Sequence, residues 1–336
     1  MNRDVRYDVM RVVAIVLVVL QHAWSIPHLD SPEYGWLCYV YGALVSCGVP
    51  LFIMVSGALN LRPAVSDYGT FFKKRLTRVL VPFVIWATVI FVLTALTGGY
   101  AEVHGWQDAL RCYLPYLATN RINASHWFIH VLLMLYLITP VLQRALAAGD
   151  ARKTAGYILC VVLALAVLAK VYPELYVLRF TSELLIYFGL YVAGFYLSQF
   201  SVNRTVNILV GSLAFAGLYV SNVILARPAY LLVALSAAGL FMLMLGIDNN
   251  RRQSAKEPVV TVLSRYTYFI YLIHVPFVHA LYMVMGNPLP SGQAWLNLLL
   301  PPVVAVCVVA VTAAAGWCVE KLLKKNALYL GVAARR

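Results

Sequence analysis

The sequence predicts an all-α membrane protein, a polytopic bundle of about ten transmembrane helices with both termini in the cytoplasm. Three observations carry that expectation. The chain of 336 residues is 62% apolar and only 12% charged, with a mean hydropathy of +0.80. A soluble chain carries about 25% charged residues. Ten apolar stretches are each long enough to cross a bilayer, and the basic residues between them fall almost entirely on one side.

The stretches lie near residues 8–26, 36–60, 79–98, 126–143, 155–172, 183–200, 205–225, 228–247, 262–285 and 295–320. The first holds the unbroken run Val12–Leu20 behind Arg3 and Arg6. It could pass for a signal peptide, but Arg11 and His22 fit an h-region poorly. The second contains Pro50 and the small pair Ser56-Gly57, which suits close helix packing. Between it and the third lies Leu61–Val79, with Phe71-Phe72-Lys73-Lys74-Arg75 and Arg78, read as a short amphipathic helix at the inner surface. The longest outer connection, Gly98–Ser125, carries Trp106, Tyr113 and Tyr116 and suits the interface. The fourth span opens at His126-Trp127, the sixth at Glu183, and the ninth contains Phe269 to Pro276. The remaining spans rest on hydropathy and length alone.

With ten spans, only Arg111, Arg121, Lys170, Arg179 and Arg227 fall on the far side, leaving 21 of the 26 basic residues beside the termini. The positive-inside rule makes that side the cytoplasm. The net charge of +13 is then a matter of topology, and no nucleic-acid partner is expected. Residues 1–325 read as one membrane domain and 326–336 as a short basic cytoplasmic tail. The six cysteines (Cys38, Cys47, Cys112, Cys160, Cys307, Cys318) show no Cys-x-x-Cys spacing and read as small packed hydrophobes.

Arg11 and His22 stand eleven residues apart in the first span. Eleven helical steps return to within about 20° of the start and climb roughly 16 Å. The shared stripe is Asp8, Arg11, Ile15, Val18 and His22, with Asp8 able to pair with Arg11. Ionisable groups inside a membrane are costly unless they line a wet path walled by protein. The stripe therefore predicts a tunnel from one surface to a base held deep in the membrane.

Taken in order, several motifs resemble the acyltransferase-3 family of integral membrane O-acyltransferases. They are Asp8-x-x-Arg11 with His22, Gly48-Val-Pro50-Leu-Phe52-x-x-x-Ser56-Gly57, Lys74-Arg75-x-x-Arg78 with Pro82, His126-Trp127-Phe128 with Tyr136 and Pro140, and Tyr271-Leu-x-His274. The resemblance runs from Asp8 to His274. It implies transfer of an acyl group, usually acetyl, from cytoplasmic acyl-coenzyme A to a hydroxyl of a surface glycan or its lipid-linked precursor, an exopolysaccharide modification. The implied location is a bacterial inner membrane. The partners are acyl-coenzyme A, the glycan and the bilayer, with a second copy of the chain as a candidate partner and no metal. The family's larger members add an exported hydrolase-like domain, which this reading does not expect here.

Each residue has a chemical reading and a plainer one. His22 is the expected general base, since imidazole has the basicity to take a hydroxyl proton. It could instead carry the acyl group, or bond a neighbouring helix. Arg11, with Asp8, would meet a coenzyme A phosphate or the thioester; otherwise it snorkels to the inner interface. Arg75 and Arg78 share a face at i, i+3 with Lys74 beside them and would hold coenzyme A phosphates, or serve as ordinary inner-leaflet charge. Phe52 and Ser56 would flank the pantetheine arm. His126, Trp127, Tyr136, Glu183, Tyr271 and His274 are the expected acceptor-side residues. Trp127 is otherwise an aromatic-belt residue and Glu183 an interfacial charge. His130 makes an i, i+4 pair with His126, but no third metal ligand accompanies them. Pro276 frees backbone carbonyls beside His274. Ten spans with buried ions also describe a secondary transporter or flippase of a glycan precursor. Against that stand the missing duplicated halves and the missing matched helix breaks.

Overall fold

The apolar stretches fold as helices, and the described residues contain no strand. A computed structural model describes residues 4–28, 41–62, 67–172, 176–200, 203–224, 230–247, 258–285 and 294–333. In chain order the helices are α1 (Val5–His28), α2 (Gly48–Asn60), α3 (Tyr68–Arg75), α4 (Val81–Leu96), α5 (Trp106–Ala118), α6 (Trp127–Ala147) and α7 (Ala151–Val171). They continue with α8 (Tyr176–Phe200), α9 (Arg204–Ile224), α10 (Tyr230–Leu245), α11 (Val259–Ser264), α12 (Thr267–Val284) and α13 (Ala294–Leu323). Eight helices among the described residues are long and apolar enough to cross a membrane. They correspond to eight of the ten predicted spans. The other two predictions fall on α8, a helix of 25 residues, and on α10, an apolar helix of 16. By helix composition this is a multi-pass membrane protein. Large apolar side chains such as Leu93, Leu137, Leu213 and Val306 are exposed on the helices' outer faces, the surface a bilayer covers.

Polar contacts tie the helix ends into two groups. At one end Ser264 Oγ donates to Asp8 (2.9 Å), Arg62 to the Tyr7 hydroxyl (2.8 Å) and Gln143 to the Asn60 carbonyl (2.5 Å). Arg6 and Arg204 donate to the carbonyls of Leu245 and Gly246, and Arg144 lies over the Tyr68 ring. This is the basic end. At the opposite end the Tyr282 hydroxyl donates to the Ala23 carbonyl (2.7 Å), and Trp24 stacks on Tyr41. Helices α1, α2, α6, α9, α10 and α12 therefore alternate in direction as the predicted spans require.

Two local features shape the site. Helices α2 and α8 cross backbone to backbone. A Cβ on Gly57 would sit 1.8 Å from the Tyr191 carbonyl oxygen, and one on Gly194 would sit 2.0 Å from that of Met54. Glycine is the residue that permits such an approach in a membrane, and Gly57 thus serves the packing role read for Ser56-Gly57. Second, the amphipathic helix expected over 61–79 is not a separate surface element. Asp67 caps α3 by accepting from the backbone N–H groups of Gly69 and Thr70, and α3 runs through a π turn at Leu76–Leu80 directly into α4. Pro82, in the first turn of α4, withholds the N–H that an unbroken α-helix would send to residue 78, and the chain widens there.

The long connection between α4 and α6 is pinned by polar contacts. Glu102 accepts from the Tyr116 hydroxyl (2.6 Å) and from Arg121 (2.8 Å). Those two donors hold the Glu102 carboxyl down at about 2, while the carboxylate pushes the Tyr116 phenol up to about 12. The contribution is complete above the usual carboxylate range and fades only as pH falls towards 2. Helix α5 turns Trp106, Leu110 and Leu114 outwards on one face, as an interfacial helix does.

Candidate functional site

His22 faces a partly open cavity of about 420 Å³, shared with Gln21, Ser125, Trp127, Glu183 and Tyr271. Helix α1 supplies His22 because its apolar faces fix the rotation. Met10, Ala14, Ile15 and Val19 are fully buried, and His22 remains partly open to the cavity. Further down the predicted stripe, Asp8 is 1% exposed and accepts from Ser264 Oγ. It lies 3.6 Å from the half-open Arg11. Ile15 packs fully between the polar ends of the stripe.

Helix α12 crosses beside His22. The ring of His274 lies 5.0 Å from that of His22, centre to centre. Tyr271, one turn earlier, reaches the cavity, and its hydroxyl donates to the Ser125 carbonyl. Pro276 has no N–H to offer the Leu272 carbonyl four residues back. That freed carbonyl lies 3.1 Å from Nε2 of His126. The residue that breaks the α12 ladder thus creates the acceptor that holds His126, the outcome expected of a proline inside a span.

His126 ends a 3₁₀ turn, Ala124–His126, that Asn123 caps by accepting from the Ser125 N–H. It is 1% exposed and does not line the cavity, and neither does His274. Both were expected on the acceptor side; both lie behind the cavity wall because backbone carbonyls draw their rings inwards. Phe83 separates His126 from His130, each ring meeting its edge at about 5.5 Å. Among the described residues no group of three or more His, Cys, Asp or Glu side chains is placed to hold a metal ion. Trp127 packs on Tyr187, and Glu183 lies within electrostatic reach of Tyr187 and Tyr230.

A second polar cluster lies at the basic end. The Arg75 guanidinium sits over the rings of Phe71 (5.3 Å) and Tyr136 (5.4 Å). The Tyr136 hydroxyl is within electrostatic reach of both Arg75 and Arg11 and bonds the Asn60 side chain. Tyr191 joins through its hydroxyl contact with Thr139 (2.8 Å) and through Asn60. This corrects the placement of Tyr136. Ten residues from His126 on a helix is roughly 15 Å, about half the length of α6, which carries Tyr136 away from the cavity to the Arg75 cluster. The shared face of Arg75 and Arg78 is also corrected. The intervening π turn has more residues per turn, so Arg75 points inwards while Arg78, like Lys74, is exposed.

Between the two clusters runs one side of α2. Val49 and Pro50 line the cavity, the Phe52 ring lies 6.1 Å from that of Phe128, and Phe128 lies 5.5 Å from Tyr271. Ser56 and Asn60 follow at successive turns, ending at the Tyr136 cluster. Sequence reading missed Gln21, Ser125, Tyr187 and Tyr230 in the cavity and Asn60 and Tyr191 at the basic end. Gln21 carried a signal, a polar residue inside an apolar run beside His22. The tyrosines carried none, since their positions depend on long-range packing.

The family model described as an acyltransferase domain (acyltransferase 3) matches residues 4–320. The chain is also similar to the nodulation protein NolL of Sinorhizobium fredii, at 23% identity over 141 residues. That alignment covers 42% of this chain and 37% of the relative, so the chain spans well under half the length of that protein. No solved structure matches.

Proposed function

The chain belongs to the acyltransferase-3 family and carries an acyltransferase domain over residues 4–320, and from that premise we infer its donor, acceptor and base. It moves an acyl group, acetyl first, from cytoplasmic acyl-coenzyme A to a hydroxyl of an extracytoplasmic glycan or lipid-linked saccharide, in a bacterial inner membrane. The observation that supports this best is the pair of polar clusters along one side of α2. His22 opens on a partly open cavity, and an arginine-tyrosine cluster lies at the basic end beyond Phe52 and Ser56.

The excess of basic residues makes that end cytoplasmic. Arg75 and Arg11 would take the coenzyme A phosphates first, with Lys74 and Arg78 as outer attracting charges. The pantetheine arm would run past Ser56 and Phe52 and bring the thioester to His22. The acceptor would enter beside Trp127, Glu183 and Tyr271. His22 would draw the hydroxyl proton as oxygen attacks the thioester carbon, and return it to the departing thiolate. Holding both reactants at one buried base converts an encounter across two compartments into a reaction within one site.

The test uses full-length protein in nanodiscs with acetyl-coenzyme A, following release of coenzyme A, together with mass spectrometry of the cell's surface glycan. Release by the wild type and its loss in His22→Ala supports the reading. Equal release by both, or glycan acetylation unchanged on deletion, overturns it.

A further inference from the structure

His274 is wholly buried on α12, and its Nδ1 lies 2.7 Å from the carbonyl oxygen of Tyr271. A carbonyl has no proton to give, so Nδ1 carries the hydrogen. In the neutral ring Nε2 is then a bare acceptor. Among the described residues that nitrogen has no hydrogen-bond partner. Its ring neighbours are Tyr271 and His22. The Tyr271 hydroxyl is already committed to the Ser125 carbonyl. His126 cannot serve either, since its one N–H is spent on the Leu272 carbonyl. His22 remains. No His22 nitrogen bonds it at this ring orientation, but the two ring centres are 5.0 Å apart and tilted by 54°, about the separation of two imidazoles joined by an N–H···N bond of about 2.9 Å, so turning the His22 ring brings one of its nitrogens within reach of Nε2.

We propose that His274 is the positioning residue of His22. Its bare Nε2 takes the hydrogen on one nitrogen of His22, which leaves the other nitrogen of His22 bare and turned to the cavity. The inference rests on His22 as the base and adds what selects its tautomer. In the transfer, the acceptor O–H bond breaks and its proton goes to the bare nitrogen of His22. A C–O bond forms, the C–S bond breaks, and the proton passes to the thiolate. While His22 holds two hydrogens, His274 shares the charge through the N–H···N bond. A carboxylate fills this place in hydrolytic triads. Here a neutral imidazole, fixed by a helix carbonyl, does so without adding a second charge to the membrane interior.

The test uses full-length protein with ¹⁵N-labelled histidine in nanodiscs, its seven imidazoles assigned by single substitutions. The variants are His274→Phe, which removes the acceptor, His274→Gln, whose amide oxygen reaches near the place of Nε2, and His274→Asn, whose oxygen falls short. The wild type and the Gln variant should show His22 as a single neutral tautomer, and the Phe and Asn variants a mixture. In step, kcat for release of coenzyme A from acetyl-coenzyme A should fall about 10²-fold in Phe and Asn, with KM within about twofold of wild type. If Phe fails to fold, the contrast between Gln and Asn decides. A His22 tautomer indifferent to position 274, in a protein that His22→Ala inactivates, overturns the inference. Activity that survives His22→Ala instead overturns the reading of His22 as the base, whatever the tautomers show.

Discussion

At the scale of single residues, the site divides into groups that touch the cavity and groups that hold them. His22 touches it. Replacing His22 with Ala should lower acyl transfer by the order of 10²–10⁴ while expression and thermal stability stay near wild type; retention of more than about a tenth of turnover would remove it as the base. The two arginines should separate. Arg75 is turned inwards over Tyr136, and Arg78 is exposed. A charge-assisted contact in a walled site contributes about 1.5–3 kcal/mol, an exposed ion about 1 or less. Calorimetry with coenzyme A should therefore show about tenfold or greater weakening for Arg75→Ala. Arg78→Ala should cost no more than a few-fold, and that loss should vanish at high salt. Equal losses would mean that the π turn does not sort the two side chains. The residues legible in the sequence were those whose chemistry is out of place in a membrane: Asp8, Arg11, His22 and His274. What could not be read was their direction. Nothing in Lys74-Arg75-Leu-Thr-Arg78 announces a turn wider than an α-helix, and that turn decides which arginine faces the bundle.

At the scale of elements, eight of the ten predicted spans correspond to helices long and apolar enough to cross a membrane, and they are visible because apolar runs and helix length are local properties. Helix contacts are not local, and the site depends on them. Tyr136 and His126 share one helix, yet the ten residues between them, roughly 15 Å, separate Tyr136 from the cavity and bring it to Arg75. Pro276 is the counterexample. Its missing N–H is a local fact, and the freed Leu272 carbonyl is where His126 is held. The crossing of α2 and α8 is the most sensitive contact. It positions Phe52 and Ser56 of α2 and Glu183 and Tyr187 of α8 around the two clusters, and it has no room for a Cβ at residue 57. Gly57→Val should force the helices apart and lower the melting temperature of the purified protein by several degrees. Overpacking of a close contact costs about 1–3 kcal/mol. Ser56→Ala, one residue away and on a half-buried face, should melt within about a degree of wild type. Similar melting of Gly57→Val and wild type would mean that the crossing tolerates a larger side chain.

At the scale of the whole molecule, function requires that the two clusters face different compartments. The contacts at the helix ends place the start of α1, the end of α2, the start of α3, the end of α6 and the start of α9 together. The C-terminal segment joins them, since Glu320 lies 3.7 Å from Arg265 and Ala333 donates its N–H to the Arg265 carbonyl. The proposed orientation rests on charge, because basic segments resist translocation. If the basic end is cytoplasmic, coenzyme A arrives where Arg75 and Arg11 wait, and the connection carrying Trp106 faces outwards. Single cysteines placed at Lys74, Lys324 and Trp106, all exposed, in a background without the native cysteines would decide it. In intact spheroplasts a membrane-impermeant maleimide should label position 106 and leave 74 and 324 unreacted until the membrane is opened. Labelling at 74 and 324 with none at 106 would invert the protein and put the arginine cluster where no coenzyme A exists. Labelling that separates 74 from 324 would contradict the even number of spans itself, and with it the alternation that the helix-end contacts describe.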